Sequence, residues 1–211
     1  AGLAHEIKNP LAGIQGAIEV IKDRTSGEME NGILSEVLCE VGRIDKIVRD
    51  LLNYAKPKTP ELKPLRLEPL VRHVIGLLNE SGGRDVRFIV TGKASAREAE
   101  VQGDGNYLEQ VFMNLLLNSL EAMNQRGTIR LTFTADEDTV QVRIQDSGPG
   151  VPIGVQEKIF DPFFTTKQTG TGLGLSICQR IMHEHGGSLT FDPDVKKGAA
   201  FVMKLPRYHA Q

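Results

Sequence analysis

Residues 4–11 read A-H-E-I-K-N-P-L. His5 carries an imidazole that can attack, ligate or move a proton near neutral pH. Glu6 beside it can accept a proton, and Asn9 follows about one helical turn later. Pro10 has no N–H for the carbonyl of Glu6, so it should bend a helix there and leave that carbonyl free. At about 100° per residue, the apolar residues Leu3, Ile7, Leu11, Ile14, Ile18 and Ile21 form a stripe about 80° wide. His5 then lies about 160° from the centre of that stripe, which argues against a core histidine. A metal ligand would want partners three or four residues away. The residue at that spacing is Asn9, and no second histidine is near. Two readings remain: a surface histidine, the plainer on periodicity alone, and a nucleophile presented outward.

Three further clusters lie downstream. Over 106–123, Leu108, Val111, Phe112, Leu115, Leu116, Leu120 and Met123 cover most of a helix, leaving a strip of Gln110, Asn114, Asn118 and Glu121. Asparagine is a poor residue in mid-helix, so two of them one turn apart point to a ligand site rather than a solvated face. Magnesium suits such a site, because it keeps waters and phosphate oxygens and needs few protein ligands. D-S-G-P-G (146–150) ends an alternating stretch. There a carboxylate can accept a hydrogen bond while the backbone approaches closely, although a plain turn is the favoured reading of the motif by itself. G-T-G-L-G-L-S-I (170–177) opens a helix. Its glycines leave amides open to an anion at a helix N-terminus, and a flexible loop with a cap is the alternative. It lacks the Gly-Lys-Ser/Thr ending of a Walker loop, and the strand and acid of a Rossmann turn are in the wrong places.

The elements that must position these residues fall into two textures. Residues 1–55 are helical. A second series, Leu34, Val37, Val41, Ile44, Val48, Leu51 and Ala55, alternates spacings of three and four after a polar break over 22–32. That is a heptad seam, and the two helices make an antiparallel hairpin. One hairpin buries its seam poorly, so pairing into a dimeric four-helix bundle is expected. K-P-K-T-P-E-L-K-P-L-R (56–66) resists helix and reads as a semi-rigid connection. The expected division is a hairpin over 1–56, a linker over 57–66 and a second domain over 67–211.

That second part is mixed. Strands are expected at 63–67, 86–91, 128–135, 139–146, 188–191 and 200–205, and helices at 68–80, 106–123 and 173–185. Helices on one side of a mostly antiparallel sheet give an α+β two-layer sandwich. The 211 residues are 25% charged with a net charge of −2, which shows no general footprint for nucleic acid or an acidic membrane. Two cysteines, Cys39 and Cys178, make no disulfide framework and fit a reducing cytoplasm. No apolar run is long enough to span a membrane. The start at Ala1, already in a helical pattern, suggests a piece of a longer protein whose membrane attachment, if any, lies upstream.

Taken in order, the asparagine helix, the Asp-x-Gly-x-Gly turn, F-D-P-F-F-T-T-K (160–167) and the Gly-x-Gly-x-Gly stretch resemble the N, G1, F and G2 boxes of sensor histidine kinases. Their ATP-binding domain belongs to the wider gyrase, heat-shock chaperone, histidine kinase and mismatch-repair ATPase superfamily. A-H-E-I-K-N-P-L resembles the H box of the dimerisation and phosphoacceptor domain of the same kinases. The lid that this order implies, between Phe164 and Leu173, is short and similar to that of nitrogen-regulatory and sporulation-type kinases.

The resemblance implies roles for these residues. Asn118 would coordinate Mg2+ and Asn114 support the phosphates of ATP. Asp146 would receive the adenine amino group, with Gly148 and Gly150 shaping the base pocket. Gly170, Thr171, Gly172, Leu173 and Gly174 would wrap the phosphates as a lid. Lys167 would neutralise charge at the γ-phosphate. His5 would be the nucleophile, Glu6 its proton acceptor, and Asn9 an orienting residue. Ala199 stands where the family often has threonine, so a side-chain hydrogen bond from that position is not expected. The implied activity is ATP-dependent autophosphorylation of His5, then transfer to an aspartate on a response-regulator receiver domain. A core working mainly as a phosphatase of that regulator, or a non-catalytic nucleotide-binding scaffold, is the competing expectation.

Overall fold

The computed structural model describes residues 2–25, 27–55, 59–80, 85–167 and 170–209. The chain divides into two compact units, Ala1–Lys58 with Thr165–Leu173, and Thr59–Phe164 with Gly174–Gln211.

The first unit is built on helices α1 (Gly2–Arg24) and α2 (Glu28–Ala55), which pack on each other. The stretch 22–32, expected as a break, is mostly helix: α1 continues to Arg24 and α2 starts at Glu28. Polar residues off the seam cost a helix little, and Lys22 and Arg24 in its last turn suit the negative end of the helix dipole. The Thr25 hydroxyl donates to the Ile21 carbonyl at 2.8 Å, and the Asn31 side chain donates through Nδ2 to the Thr25 carbonyl at 3.0 Å. These bonds close the turn. Along the seam Val41 is buried and Leu34 and Val48 are half-buried. Ile14, Val37 and Ile44 keep 48%, 40% and 46% of their surface exposed, so one chain leaves part of its apolar stripe uncovered.

The second unit holds a five-stranded sheet of β2 (Asp85–Gly92), β4 (Arg126–Ala135), β5 (Thr139–Asp146), β6 (Ser188–Phe191) and β7 (Ala200–Pro206). Its order is β2-β4-β5-β7-β6. Only β2 and β4 pair in parallel, which needs the crossover through α4 (Ala94–Arg97), β3 (Glu100–Gly103) and α5 (Gly105–Ala122). β3 also pairs with β1 (Lys63–Arg66) in a small second sheet. One face of the large sheet carries buried residues in register: Leu131, Ile144 and Phe201 in one row, and Phe133, Val142, Met203 and Leu189 in the next. Helices α5 and α6 (Gly174–Glu184) pack against the sheet, and α3 (Leu67–Glu80) packs on α5. The opposite face carries half-buried Thr132, Arg143 and Gln145. Each fully buried aliphatic or aromatic side chain contributes about 1.5–3 kcal/mol, so this one-sided core is what fixes the register.

Candidate functional site

Helix α5 starts at a well-made cap. Asp104 Oδ1 accepts from the Asn106 amide at 3.0 Å, and its Oδ2 accepts from the Glu61 amide at 3.0 Å. The Asp104 amide in turn donates to Nε2 of the buried His185 at 3.0 Å, while His185 Nδ1 donates to the Ile181 carbonyl at 2.7 Å. These bonds tie the start of α5 to the end of α6. The packing of Leu108, Val111, Phe112, Leu115, Leu116 and Leu120, all fully buried, then sets the rotation of α5. Asn114 and Asn118 are consequently half-buried on its remaining strip.

Asp146 ends β5 on the inward face, opposite Ile129, and is 4% exposed. A buried carboxylate needs partners. Its Oδ1 accepts from the Gly148 amide at 2.9 Å and the Ala199 amide at 3.1 Å. Among the described residues nothing bonds Oδ2, the oxygen left for a ligand's donor. Gly198 (φ +79°) makes this possible: a Cβ there would strike the Asp146 carbonyl. Gly150 (φ +83°) is likewise pressed against the Gly198 carbonyl, 2.9 Å from where its Cβ would be. Ser147 fastens the turn from the other side. Its Oγ accepts from the Thr128 amide at 3.0 Å and donates to Met123 Sδ at 3.3 Å.

Helix α5 reaches both ends of the candidate site. Beyond its C-terminus, Met123 Cγ lies 3.3 Å from where a Gly148 Cβ would be. In its middle, Asn114 Cγ lies 3.9 Å from where a Gly174 Cβ would be. Asn118 stands between. Gly174 starts the 11-residue α6, whose first amides lack intrahelical acceptors and favour an anion. One turn into α6, the Cys178 thiol accepts from Asn114 Nδ2 at 3.6 Å. Burial pushes that thiol up to about 12, against the Asn114 hydrogen bond, so it stays protonated at neutral pH.

A buried carboxylate with one open oxygen, two amide side chains and a helix N-terminus can together take a neutral donor and a polyphosphate. Asn114 and Asn118 offer uncharged hard oxygens, the donor type magnesium accepts alongside phosphate. Among the described residues no three of His, Cys, Asp and Glu gather as a metal cage.

Lys167, Gly170, Thr171, Gly172 and Leu173 belong to the other compact unit. Thr165 Oγ1 accepts from the Lys167 amide at 3.1 Å, and the Leu173 amide donates to Thr171 Oγ1 at 3.3 Å. Leu173 is fully buried and Lys167 exposed. His5, Glu6 and Asn9 lie in α1, which runs through Pro10; their side chains fall outside the described residues. Sequence reasoning missed Ala199 as a site residue. Its contribution is a backbone amide, and only the pairing of β5 with β7 brings it to Asp146. Of the cysteines, Cys178 is buried, whereas Cys39 is exposed on α2. No helix among the described residues is long and apolar enough to cross a membrane.

Comparison with known proteins fits this geometry. Residues 103–209 match the family model described as histidine kinase-, DNA gyrase B-, and HSP90-like ATPase. Residues 1–60 match the His Kinase A (phospho-acceptor) domain. Over 98% of its length the chain is 35% identical to the signal transduction histidine-protein kinase AtoS of Escherichia coli (strain K12). Over the same share it is 38% identical to sporulation kinase A of Bacillus subtilis (strain 168). It spans 34% of the length of each of these two relatives. Among solved structures, histidine kinase ThkA in complex with response regulator protein TrrA superposes with a TM-score of 0.72 at 32% identity, covering 99% of this chain and 60% of that one. Full-length ShkA in complex with AMPPNP gives 0.79 at 25% identity, covering 100% of this chain and 46% of that one. The chain belongs to the histidine kinase-, DNA gyrase B- and HSP90-like ATPase family, carries a His Kinase A phosphoacceptor domain ahead of its ATPase domain, and is homologous to sensor histidine kinases.

Proposed function

We propose that this chain is the catalytic core of a two-component sensor kinase, which transfers the γ-phosphoryl group of ATP to His5 and then to an aspartate of a response regulator. The observation that carries the reading is the buried Asp146, its Oδ1 taken by two backbone amides and its Oδ2 left for one donor, such as the adenine amino group. Gly148 and Gly150 shape the turn beside it. Asn114 and Asn118 hold Mg2+ and the phosphates, with Asn118 as the metal ligand. Bound magnesium would supply positive charge against the phosphate oxygens. Lys167 adds a cation near the γ-phosphate, and Gly170, Thr171, Gly172, Leu173 and Gly174 close over the phosphates. In the transfer an imidazole nitrogen of His5 bonds to the γ-phosphorus, the bond from that phosphorus to the β,γ-bridging oxygen breaks, and ADP leaves. Glu6 takes the proton from the other ring nitrogen, and Asn9, one turn on, orients the reaction.

The domain division in this reading is a hairpin over 1–56, a linker over 57–66 and a nucleotide domain over 67–211, a two-layer α/β sandwich. The uncovered seam residues Ile14, Val37 and Ile44 support pairing of two hairpins into a four-helix bundle. A receiver domain as second substrate is supported by the solved complex of the homologous ThkA with its regulator. The test is incubation of the 211-residue chain with γ-labelled ATP and magnesium. Acid-labile, alkali-stable label on the wild type and about 10- to 100-fold less on Asp146→Asn at limiting ATP is expected. Equal labelling of both at limiting ATP would remove Asp146 from the site.

A further inference from the structure

Asn114 is held by a residue that the phosphoryl-transfer reading leaves unused. Cys178 lies one turn after Gly174 on α6, so both face the same side of that helix. The Asn114 side chain sits against this face, 3.6 Å from Cys178 Sγ through Nδ2 and 3.9 Å from where a Gly174 Cβ would be through Cγ. The Cys178 thiol can donate to the Val111 carbonyl at 3.9 Å, one turn before Asn114 on α5. The sulfur's lone pairs are therefore what meets Asn114, and an acceptor there selects the amide's NH2 end. Oδ1, which accepts no hydrogen bond among the described residues, becomes the end offered to a ligand. An amide that flipped would offer NH2 instead, which cannot accept from the waters that magnesium keeps when Asn118 is its protein ligand.

We infer that Cys178 is a positioning residue that fixes the rotamer of Asn114, so that its carbonyl oxygen and not its NH2 group serves the magnesium-phosphate end of the site. This rests on the assignment of Asn114 to that site. The hydrogen bond does not touch substrate; it acts through Asn114, as the outer partners of a metal site do.

The test measures ATP affinity by calorimetry with and without magnesium, on the full 211-residue chain, for wild type, Cys178→Val, Cys178→Ser and Asn114→Ala. Valine fills the space but accepts no hydrogen bond; serine keeps an acceptor. Cys178→Val is expected to lose about tenfold of the magnesium-dependent gain in affinity, the low end for an outer partner. Its magnesium-free affinity should stay at the wild-type value, which also reports an intact fold. Cys178→Ser should recover most of the gain, and Asn114→Ala should lose at least as much as the valine variant. A wild-type magnesium gain in Cys178→Val, or equal losses in the valine and serine variants, overturns the role of Cys178 while leaving Asn114 in place. A wild-type gain in Asn114→Ala overturns the site assignment itself, and the role of Cys178 with it.

Discussion

At the scale of single residues, Asp146 is a carboxylate with divided duties. Oδ1 is spent on the Gly148 and Ala199 amides, and Oδ2 remains. In Asp146→Asn the amide oxygen can still serve both backbone donors, but in the proposed site an NH2 group would then meet the adenine amino group. A hydrogen bond to a charged acceptor is worth about 1.5–3 kcal/mol, so ATP affinity should fall about 10- to 100-fold with the fold retained, as calorimetry would show. Gly198 is the opposite case, a residue with no chemistry and no alternative. An alanine there would hold φ near +79° and drive its Cβ into the Asp146 carbonyl. Gly198→Ala should cost about 2 kcal/mol or more in urea unfolding, as well as weakening ATP binding. The sequence made Asp146 legible, because a carboxylate followed by Gly-x-Gly is a local pattern. It could not show Ala199, which contributes an amide common to almost every residue and lies 53 positions away.

At the scale of elements, α5 was legible from its apolar coverage and its misplaced asparagines, and its observed bounds differ by one residue at each end. Strand β5 matches its expected bounds, since Val140, Val142, Ile144 and Asp146 alternate with half-buried neighbours. The elements α4 and β3 were not legible. Four residues give too little periodicity to register, and β3 is a strand only because β1 lies beside it. The strand order was equally hidden, as β7 inserts between β5 and β6 through long-range pairing. One charged contact spans that insertion: Arg143 of β5 holds Asp192, just past β6, at 2.8 Å. The Arg143 hydrogen bond, helped by the Asp194 amide, holds the Asp192 carboxyl below its ordinary value. A depressed carboxylate contributes stability above its unfolded value and loses it as pH falls through the lower folded one. The pair is partly solvated, so Asp192→Asn should lose less than about 1 kcal/mol at neutral pH. Melting temperatures of variant and wild type should converge as the pH drops below the ordinary carboxylate range.

At the scale of the whole molecule, the helical unit has an apolar stripe that one chain does not cover, and the nucleotide unit has a complete core of its own. The heptad spacing predicted that difference, because a two-helix seam has only one neighbour to bury against, whereas a sheet face can be roofed by its own helices. If the stripe is a dimer seam, Val37→Glu with Ile44→Glu should turn a sedimenting dimer into a monomer while ATP affinity stays unchanged. A monomeric wild type at micromolar concentration would contradict the bundle. The central claim, however, joins the two units by chemistry: a phosphoryl group that starts on ATP in one must end on His5 in the other. The most direct measurement is label retained after γ-labelled ATP and magnesium are given to wild type and to His5→Gln. The account predicts acid-labile phosphoprotein from the wild type, none from His5→Gln, and equal ATP affinity in both; labelled His5→Gln, or a wild type that binds Mg-ATP yet never becomes labelled, would contradict it.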